Sequence, residues 1–308
     1  MSSEMRALTM GVHVLDVLVR PVDAIPEGQG GELVEQIRIT AAGSAGGTAL
    51  TLAKHGAEVR SAGAIGTDPV GDMLLDLLGR AGIDTGQLCR RADVQTSASV
   101  LPIRPDGSRP AFHVPGANAT YGPDDVDWDA IGDATHLHLG GPEFMGGEAA
   151  ATILSAARGR GIVTSADVLA PGEPGLLEWI GSAVAELDYL LPNDDQVLGF
   201  TGTGDLEAGC RALIERGAGC VVATCGADGA LVVDPDGATA VPAFEVEVVD
   251  TTGCGDAFSA GFLRGLSLGR DREAAARLGN AAAGLVAGGL GSDHGDFDLA
   301  AADELARP

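Results

Sequence analysis

The residues best suited to chemistry lie in the segment VVDTTGCGDAFSAG, which runs from Val248 to Gly261. A β-branched run precedes the glycines, and an apolar helical pattern follows them at 257–266. A glycine-rich turn between a strand and a helix leaves backbone N–H groups free at the helix N-terminus, where they bind phosphate. Because Gly253 and Gly255 lack a Cβ, this turn can direct its N–H groups to one point. The segment therefore predicts an anion hole.

Asp256 is the unexpected residue of this turn, because a carboxylate beside an anion-binding site repels the anion. Such a carboxylate can act as a base that takes the proton from a hydroxyl attacking a bound phosphoryl group. The alternative is that Asp256 only caps the helix, which is a common use of aspartate. The turn by itself leaves both interpretations open.

The chain lacks the sequences of the other well-known phosphate-binding loops. A P-loop requires lysine in G-x-x-x-x-G-K-[ST], and the only lysine of the chain, Lys54, lies outside such a pattern. The dinucleotide fingerprint G-x-G-x-x-G requires glycine where Phe258 stands. Lys54 also lacks the V-A-I-K context of a protein-kinase site. Phosphate recognition must therefore use arginines, backbone N–H groups or a metal ion.

Charge and cysteine content exclude several classes of protein. The formal net charge is −25, from 44 acidic and 19 basic residues, so we expect neither nucleic acid nor an anionic membrane surface as a partner. The five cysteines form no C-x-x-C pair, which argues against a disulfide framework and a zinc site. Because the start of the chain lacks the pattern of a secretory leader, we expect a cytoplasmic protein.

Short β-branched runs alternate with helical patterns along most of the chain. The predicted strands are 8–14, 57–66, 136–140, 161–168, 188–193 and 220–226. The predicted helices are 48–55, 69–81, 148–158 and 205–216. This alternation is typical of a mainly parallel sheet covered by helices on both faces, so we predict one α/β domain over residues 1–308.

Two regions depart from this alternation. Segment 31–40 alternates strictly between apolar and polar residues, and segment 97–114 contains two strands around a Pro-Asp-Gly turn. Neither region has a crossover helix beside it. We therefore predict a small antiparallel flap built from about residues 17–42 and about residues 96–117, and a further hairpin that turns at 234–237.

The segment around Asp256 resembles the C-terminal signature D-T-x-G-A-G-D of the ribokinase-like (PfkB-type) family of sugar and nucleoside kinases, with Cys254 in place of alanine. Four other segments resemble motifs of this family, in the same order. They are AAGSAGGTALTLAKHG (the N-terminal glycine signature), HVPGANAT (the end of the lid), LPNDDQ (N-x-x-E) and TCGADG (T-x-G-x-x-G). The resemblance implies a ribokinase-like three-layer fold, with a mainly parallel central sheet flanked by helices and the flap as a substrate lid.

The resemblance also implies roles for individual residues around the phosphoryl group and the nucleotide. Asp256 would be the catalytic base, and Gly253, Cys254 and Gly255 would form the anion hole. The nucleotide side would comprise Asn193, Thr224, Gly226, Gly229 and Asn280, with Asn193 also near the Mg²⁺ network. Asp250 resembles a position that supports a monovalent cation such as K⁺, although an ordinary strand-end aspartate is a serious alternative.

The resemblance places four residues on the acceptor side. Asp16 follows the first strand, where family members hold substrate hydroxyls with a carboxylate. Gly43 would let substrate approach the backbone. Gly47, in the same glycine signature, and Asn118, at the end of the lid, are assigned to the same group.

Three positions depart from the family pattern. Gly47 and Val14 stand where sugar sites of the family carry asparagine, and we interpret this as room for a bulkier or partly apolar acceptor. Gln196 replaces the glutamate of N-x-x-E, and a neutral amide cannot hold Mg²⁺ through charge. Asp194 or Asp195, beside Asn193, is the expected substitute.

The resulting expectation is an ATP- and Mg²⁺-dependent kinase that phosphorylates a hydroxyl of a sugar-like molecule. A nucleoside kinase of the same fold and a non-catalytic nucleotide or sugar sensor remain alternatives. An acceptor that already carries a phosphate would need a nearby cation, and the lid offers Arg38, Arg104 and Arg109. Because Arg104 and Arg109 flank a tight turn, where charges are usually solvated, we favour an unphosphorylated acceptor.

Two further expectations concern the lid and the histidines. Exposed lid strands have unpaired edges and an apolar face, which favours a homodimer joined through the lids. His13, His113, His136 and His138 alternate with apolar residues, so we expect core or lid positions for them, with His113 placed to touch substrate.

Overall fold

The computed structural model describes residues 5–105 and 108–307, so the predicted Pro-Asp-Gly turn at 105–107 lies partly outside the described residues. The strands are β1 (Arg6–Gly11), β2 (Val14–Arg20), β3 (Gln36–Ala42), β4 (Glu58–Gly66), β5 (Asp84–Arg91), β6 (Ala98–Pro102), β7 (Phe112–Val114), β8 (His136–Gly140), β9 (Val163–Asp167), β10 (Tyr189–Leu190), β11 (Val221–Thr224), β12 (Ala230–Asp234) and β13 (Gly237–Val241). The helices are α1 (Ser44–Lys54), α2 (Pro69–Arg80), α3 (Trp128–Ile131), α4 (Gly147–Arg158), α5 (Pro174–Val184), α6 (Asp194–Thr201), α7 (Leu206–Glu215), α8 (Cys254–Ser267), α9 (Arg272–Ala287) and α10 (Leu299–Leu305).

A nine-stranded sheet forms the centre of the molecule, in the order β13-β12-β11-β10-β9-β8-β1-β4-β5. The seven strands from β11 to β5 in this order are parallel, and β12 and β13 form an antiparallel hairpin at one edge. This confirms the predicted mainly parallel sheet and the hairpin at 234–237. Strand β5 and helices α5, α6, α9 and α10 were not among the predicted elements.

Two hydrophobic clusters cover the two faces of this sheet. Leu8 and Met10 of β1 belong to the cluster that includes residues of α4, α5 and α7. Ala7, which directly precedes Leu8 in β1, belongs to the cluster that includes residues of α1, α2 and α8. Successive side chains of a strand point to opposite faces, so the two clusters lie on opposite sides and the structure has the predicted three layers.

The first predicted strand, 8–14, is wrong as a single element. Strand β1 ends at Gly11, whose φ of 111° is accessible to glycine, and β2 begins at Val14 in a second, separate sheet. A side chain at residue 11 would collide with the carbonyl oxygen of Gly140 on the neighbouring strand. The chain therefore leaves the central sheet at this point.

The second sheet has the order β3-β2-β6-β7 and corresponds to the predicted flap. The pairs β2–β3 and β6–β7 are antiparallel, but β2 and β6 are parallel, so the prediction of an antiparallel flap is wrong for the central pair. We call these four strands the small sheet. No helix among the described residues is long and apolar enough to cross a membrane.

Candidate active site

A cavity of about 850 Å³ lies between the small sheet and the carboxyl ends of the parallel strands. Ligands of open α/β sheets bind at this end, because the loops and helix N-termini that follow the strands meet there. Eight of the predicted site residues line the cavity. They are Asp16, Gly43, Asn193, Thr224, Gly226, Gly253, Gly255 and Asp256.

The glycine turn opens helix α8 as the sequence predicts, but the strand expected before it is absent, since residues 242–253 form a loop. Gly253 precedes the helix with φ of 79°, and a Cβ at this position would lie 2.6 Å from the Cβ of Ser292. Gly255 faces open space, since nothing lies within 4 Å of the Cβ it lacks. The N–H groups of Gly255 and Asp256 have no hydrogen-bond acceptor among the described residues. The start of α8 can therefore receive an anion.

Cys254 is oriented differently from its two glycine neighbours. Its N–H donates to the carbonyl of Thr251 at 3.3 Å, and its side chain packs beside Val286 and Phe297. Burial raises the pKa of the thiol to about 12, so Cys254 is a packing residue and not a thiolate nucleophile. The free donors belong to residues 255 and 256 instead.

Asp256 lies at the floor of the cavity in the first turn of α8. Burial raises the pKa of this carboxyl well above its usual range, and the negative charges of Asp167 and Asp16 raise it further, while Arg109 lowers it. A carboxylate that is costly to ionise holds a proton more readily than a solvated one. Asp256 can therefore accept a proton from a bound hydroxyl.

The position of Asp256 depends on Gly47 in helix α1. A Cβ at residue 47 would lie 2.7 Å from Cγ of Asp256 and 2.8 Å from its Cβ. The hydroxyl of Thr48 donates to the backbone carbonyl of Asp256 at 3.3 Å. The interpretation of Gly47 as room for a bulky acceptor is therefore wrong, because the Asp256 side chain occupies that space.

On the acceptor side, Asp16 extends from β2 into the cavity and is 6% exposed. Burial raises its pKa to about 6, opposed by a hydrogen bond from Ser99 and by the charge of Arg109. His113 of β7 lines the same region, and its Nδ1 lies 3.0 Å from the Ser99 hydroxyl. His13 and His138 are buried, in agreement with the predicted core positions.

On the nucleotide side, Asn193 caps helix α6 with its side-chain oxygen, which accepts from the N–H of Gln196 at 2.7 Å. The Gln196 oxygen accepts from the N–H of Asn193 at 2.9 Å. The Gln196 amide donates to the carbonyls of Val168 and Ala170 at 2.7 and 3.0 Å. A glutamate could not make these two donations, which gives a structural reason for glutamine at this position.

Three predicted site residues lie behind the cavity wall rather than in the described lining. The amide of Asn118 bonds both backbone groups of His13, at 3.1 and 3.0 Å. The amide of Asn280 donates to the carbonyls of Val241 and Pro242, both at 3.0 Å. Gly229, with φ of 98°, packs against the backbone of residues 241–243. These contacts are structural, and direct ligand contacts of the three residues stay predictions.

Asp250 supports the glycine turn. One carboxylate oxygen accepts from the N–H and hydroxyl of Thr252, at 3.0 and 2.8 Å, and the other accepts from the N–H of Gly291 at 3.0 Å. Both oxygens thus already have donors, an arrangement that fits a structural support of the loop before α8 better than a ligand of K⁺. The monovalent-cation role stays a prediction.

Sequence reasoning missed two charged residues of the cavity. Asp167, at the carboxyl end of β9, lies in no recognised motif, and its position in a predicted strand was the only available signal. Arg109 is exposed, as predicted, but it also lines the cavity, and its Nε donates to the Thr251 hydroxyl at 3.3 Å.

Comparison with known proteins agrees with this arrangement. Residues 12–296 match the model of a family described as pfkB family carbohydrate kinase. The chain is 31% identical to an ATP-dependent ribose-1-phosphate kinase of Halopiger xanaduensis over 287 residues, which cover 93% of each chain. It is 27% identical to a nucleoside kinase of Methanothermobacter thermautotrophicus, over 93% of this chain and 90% of that relative.

The fold has equally extensive counterparts among solved structures. A putative ribokinase II from E. coli, solved in complex with ATP and Mg²⁺, superposes with a TM-score of 0.85 at 20% identity, and 98% of each chain is covered. At this level of identity the likeness concerns the fold, which is the ribokinase-like arrangement of a large sheet, flanking helices and a smaller separate sheet.

The burial of Asp16 predicts a pH-dependent cost to stability. Its pKa rises from 3.8 to about 6 on folding, so the folded chain holds the Asp16 proton more tightly than the unfolded chain does. The stability that protonated Asp16 gives the folded chain is therefore complete below pH 3.8 and is lost as the pH rises through 6. We expect Asp16→Asn to unfold like the wild type near pH 4 but to be more stable at pH 7, by on the order of 3 kcal/mol. Urea unfolding at both pH values measures this difference.

The other titrating groups are common to the two proteins, and the substitution also removes the Asp16 charge that raises the pKa of Asp256, which adds to stability at pH 7 in the same direction. Exposed Asp23→Asn controls for the change in net charge. An equal stability difference at pH 4 and pH 7 would contradict the prediction.

Proposed function

Because the chain belongs to the pfkB family of carbohydrate kinases, we propose that it transfers the γ-phosphoryl group of ATP to a hydroxyl of a sugar-like acceptor, with Asp256 as the catalytic base. One observation carries this proposal. Asp256 lies beside the free N–H groups of α8, and the surrounding cavity is lined by Asp16 on one side and by Asn193 and Thr224 on the other. A base between two sites is what direct transfer between two bound substrates requires.

The proposed step is an in-line displacement. The acceptor hydroxyl loses its proton to Asp256 as its oxygen attacks the γ-phosphorus, and the bond from that phosphorus to the bridging oxygen of ADP breaks. The raised pKa of Asp256 favours proton uptake. The N–H groups of Gly255 and Asp256, with the positive end of the α8 dipole, stabilise the charge that develops on the transferred group.

The residues near Asn193 fit the Mg²⁺ that this chemistry implies. Asp194 and Asp195 both line the cavity, and one or two carboxylates together with substrate phosphates are the usual ligands of Mg²⁺ in kinases. Gln196 is not available as a ligand, because its amide is engaged by the backbone of Asn193, Val168 and Ala170. The ion would neutralise charge on the phosphates, and Asp194 or Asp195 would hold it.

We expect Asp256→Asn to lower kcat by about 10²–10⁴, the usual contribution of a general base. ADP release from Mg·ATP is measured across a panel of sugars, polyols, sugar acids, sugar phosphates and nucleosides, for the wild type and the variant. Asp236→Asn, in the exposed turn of the β12–β13 hairpin, is the control.

The same panel distinguishes the remaining alternatives. Turnover of nucleosides but not sugars would assign the nucleoside-kinase function. Binding of ATP or sugar without ADP release would assign the sensor function. Full activity of Asp256→Asn would exclude its role as the base.

The close approach of Gly47 to Asp256 predicts that the position of the Asp256 carboxylate matters for the rate as much as its charge does. We expect Gly47→Ala to displace the carboxylate and lower kcat by about 10²-fold, the typical effect of a misplaced catalytic group. Gly79→Ala in helix α2 is the matched control, because a Cβ there meets nothing within 4 Å. Comparable kcat values for the two alanine variants would contradict the prediction.

A phosphorylated sugar is a second candidate acceptor, favoured by the position of Arg109. The sequence favoured an unphosphorylated acceptor because Arg109 was expected to face solvent. Arg109 is exposed and also lines the cavity near Asp16 and Asp256, where its guanidinium can bind an anion on the substrate. The relative from Halopiger xanaduensis is named for a phosphorylated sugar, ribose 1-phosphate, which supports testing this class.

If the acceptor carries a phosphate, we expect Arg109→Gln to raise its KM about tenfold or more, because a charge-assisted hydrogen bond is lost. The KM for an unphosphorylated sugar should change less than about twofold. Arg104→Gln is the matched control, since Arg104 belongs to the same hairpin and bonds the Ser108 side chain. Unchanged kinetics with every sugar phosphate would exclude Arg109 as the phosphate ligand.

We also propose that the chain forms a homodimer through the small sheet. Exposed apolar side chains form a row across it, since Val17 pairs with Ile39 and Val100, and Val100 pairs with Phe112. Phe112 is 61% exposed and Val100 is 44% exposed. An apolar row of this kind, bordered by unpaired strand edges, is typical of a contact surface.

Light scattering after gel filtration should give a mass of twice 30.9 kDa for the wild type and 30.9 kDa for Phe112→Glu. Leu33→Glu is the control, because Leu33 is fully exposed outside the strands of the small sheet. A monomeric wild type would overturn this proposal without affecting the proposed reaction.

A further inference from the structure

We infer that Asp167 is an acceptor-binding residue that accepts a hydrogen bond from a second hydroxyl of the acceptor. The inference rests on the proposed function, since it concerns the same cavity. It adds a carboxylate to which no motif of the sequence pointed.

The first observation is an unpartnered carboxylate in the cavity lining. Asp167 is 7% exposed and lines the cavity at the carboxyl end of β9. Its Oδ1 is buried and has no hydrogen-bond partner among the described residues, and none of these residues donates a hydrogen bond to Oδ2. A largely buried carboxylate without donors is costly, so Asp167 is suited to a ligand that brings its own O–H or N–H group.

The second observation is a packing contact behind the carboxylate. Nε2 of His138 lies 3.5 Å from Oδ2 of Asp167, and Nδ1 of the same ring lies 3.0 Å from the hydroxyl of Ser165. His138 is 1% exposed, so packing and the contact with Ser165 define the orientation of its ring. Its Nε2 makes no hydrogen bond with the described residues, so His138 packs against Asp167 without supplying it with a donor.

The third observation is that two other carboxylates lie near Asp167. The charges of Asp167 and Asp16 both act on Asp256, so the three carboxylates face one region of the cavity. A polyhydroxylated molecule can offer one hydroxyl to the base and others to the two remaining carboxylates. An anion would be repelled by this group, which directs any phosphate of the acceptor away from it and towards Arg109.

A metal ion is the competing ligand for Asp167. No group of three or more His, Cys, Asp and Glu side chains with metal-binding geometry occurs in the described parts of the chain. Hydroxyl binding is therefore the assignment we test, and metal binding is the outcome that would overturn it.

The experiment compares Asp167→Asn and His138→Leu with the wild type, using the acceptor that gives turnover in the panel. We expect Asp167→Asn to raise the acceptor KM by about 10- to 100-fold, the effect of losing a hydrogen bond to a charged group. The KM for Mg·ATP and the half-saturating Mg²⁺ concentration should stay within twofold. We expect His138→Leu to change the acceptor KM in the same direction and by less.

Singly deoxygenated acceptors provide a readout that a purely structural role would not move. The analogue that lacks the hydroxyl bound by Asp167 should have similar KM values with the wild type and Asp167→Asn. With every other analogue, the KM of Asp167→Asn should remain higher than the KM of the wild type.

Glu143→Gln is the matched control for displacement of the neighbouring loop. One Glu143 oxygen accepts from the N–H groups of Leu169 and Ala170 at 2.8 and 2.9 Å, and the residue lies outside the described cavity lining. We expect it to affect thermal stability without discriminating among the deoxygenated acceptors.

Two results would overturn the inference. One is an acceptor KM within twofold of the wild type for Asp167→Asn, and the other is a raised Mg²⁺ requirement with an unchanged acceptor KM. Ligand-induced thermal stabilisation without ATP keeps the two proposals distinguishable. A chain that binds sugars through Asp167 but never releases ADP would contradict the proposed function and support the inference.

Discussion

The close approach of helices α1 and α8 is the constraint on which the rest of the site depends. Asp256 can lie at the cavity floor because residue 47 has no side chain. The hydroxyl of Thr48 in α1 adds a hydrogen bond to the backbone carbonyl of Asp256. At the start of α8, Gly253 packs against Ser292 in the same way. Asp256 and the start of α8 are therefore positioned by close contacts that leave no room for a side chain at residues 47 and 253.

The electrostatics of the cavity favour chemistry at the expense of stability. Burial raises the pKa values of Asp16 and Asp256, and neighbouring carboxylates raise that of Asp256 further. Each ionised carboxylate in this region lowers the free energy of unfolding at neutral pH, since the unfolded chain solvates it better. Such costs are common at functional sites and are offset by packing elsewhere. The two large hydrophobic clusters on either side of the central sheet supply that packing.

The two sides of the cavity are also linked through the backbone. Gln196 joins the cap of α6 to the carbonyls of Val168 and Ala170, which follow Asp167 directly. Glu143 holds the N–H groups of residues 169 and 170 from the other direction. The loop after β9 therefore has a defined position between the nucleotide and acceptor sides. Gln196 therefore connects helix α6 to the loop after β9, whereas the glutamate of the family motif N-x-x-E has a metal-linked role.

The sequence by itself determined the alternation of strands and helices, the glycine turn before α8 and the place of Asp256 in the first turn of that helix, because these depend on neighbouring residues. Tertiary structure decided the features that depend on residues distant in sequence. Gly11 ends β1 because Gly140 lies against it, β2 and β6 pair in parallel, and Gly47 serves Asp256 instead of the acceptor. Asp167 and Arg109 belong to the cavity for the same reason. A local sequence pattern reflects backbone preference and periodicity, but it does not specify which side chain from a distant part of the chain will pack beside it.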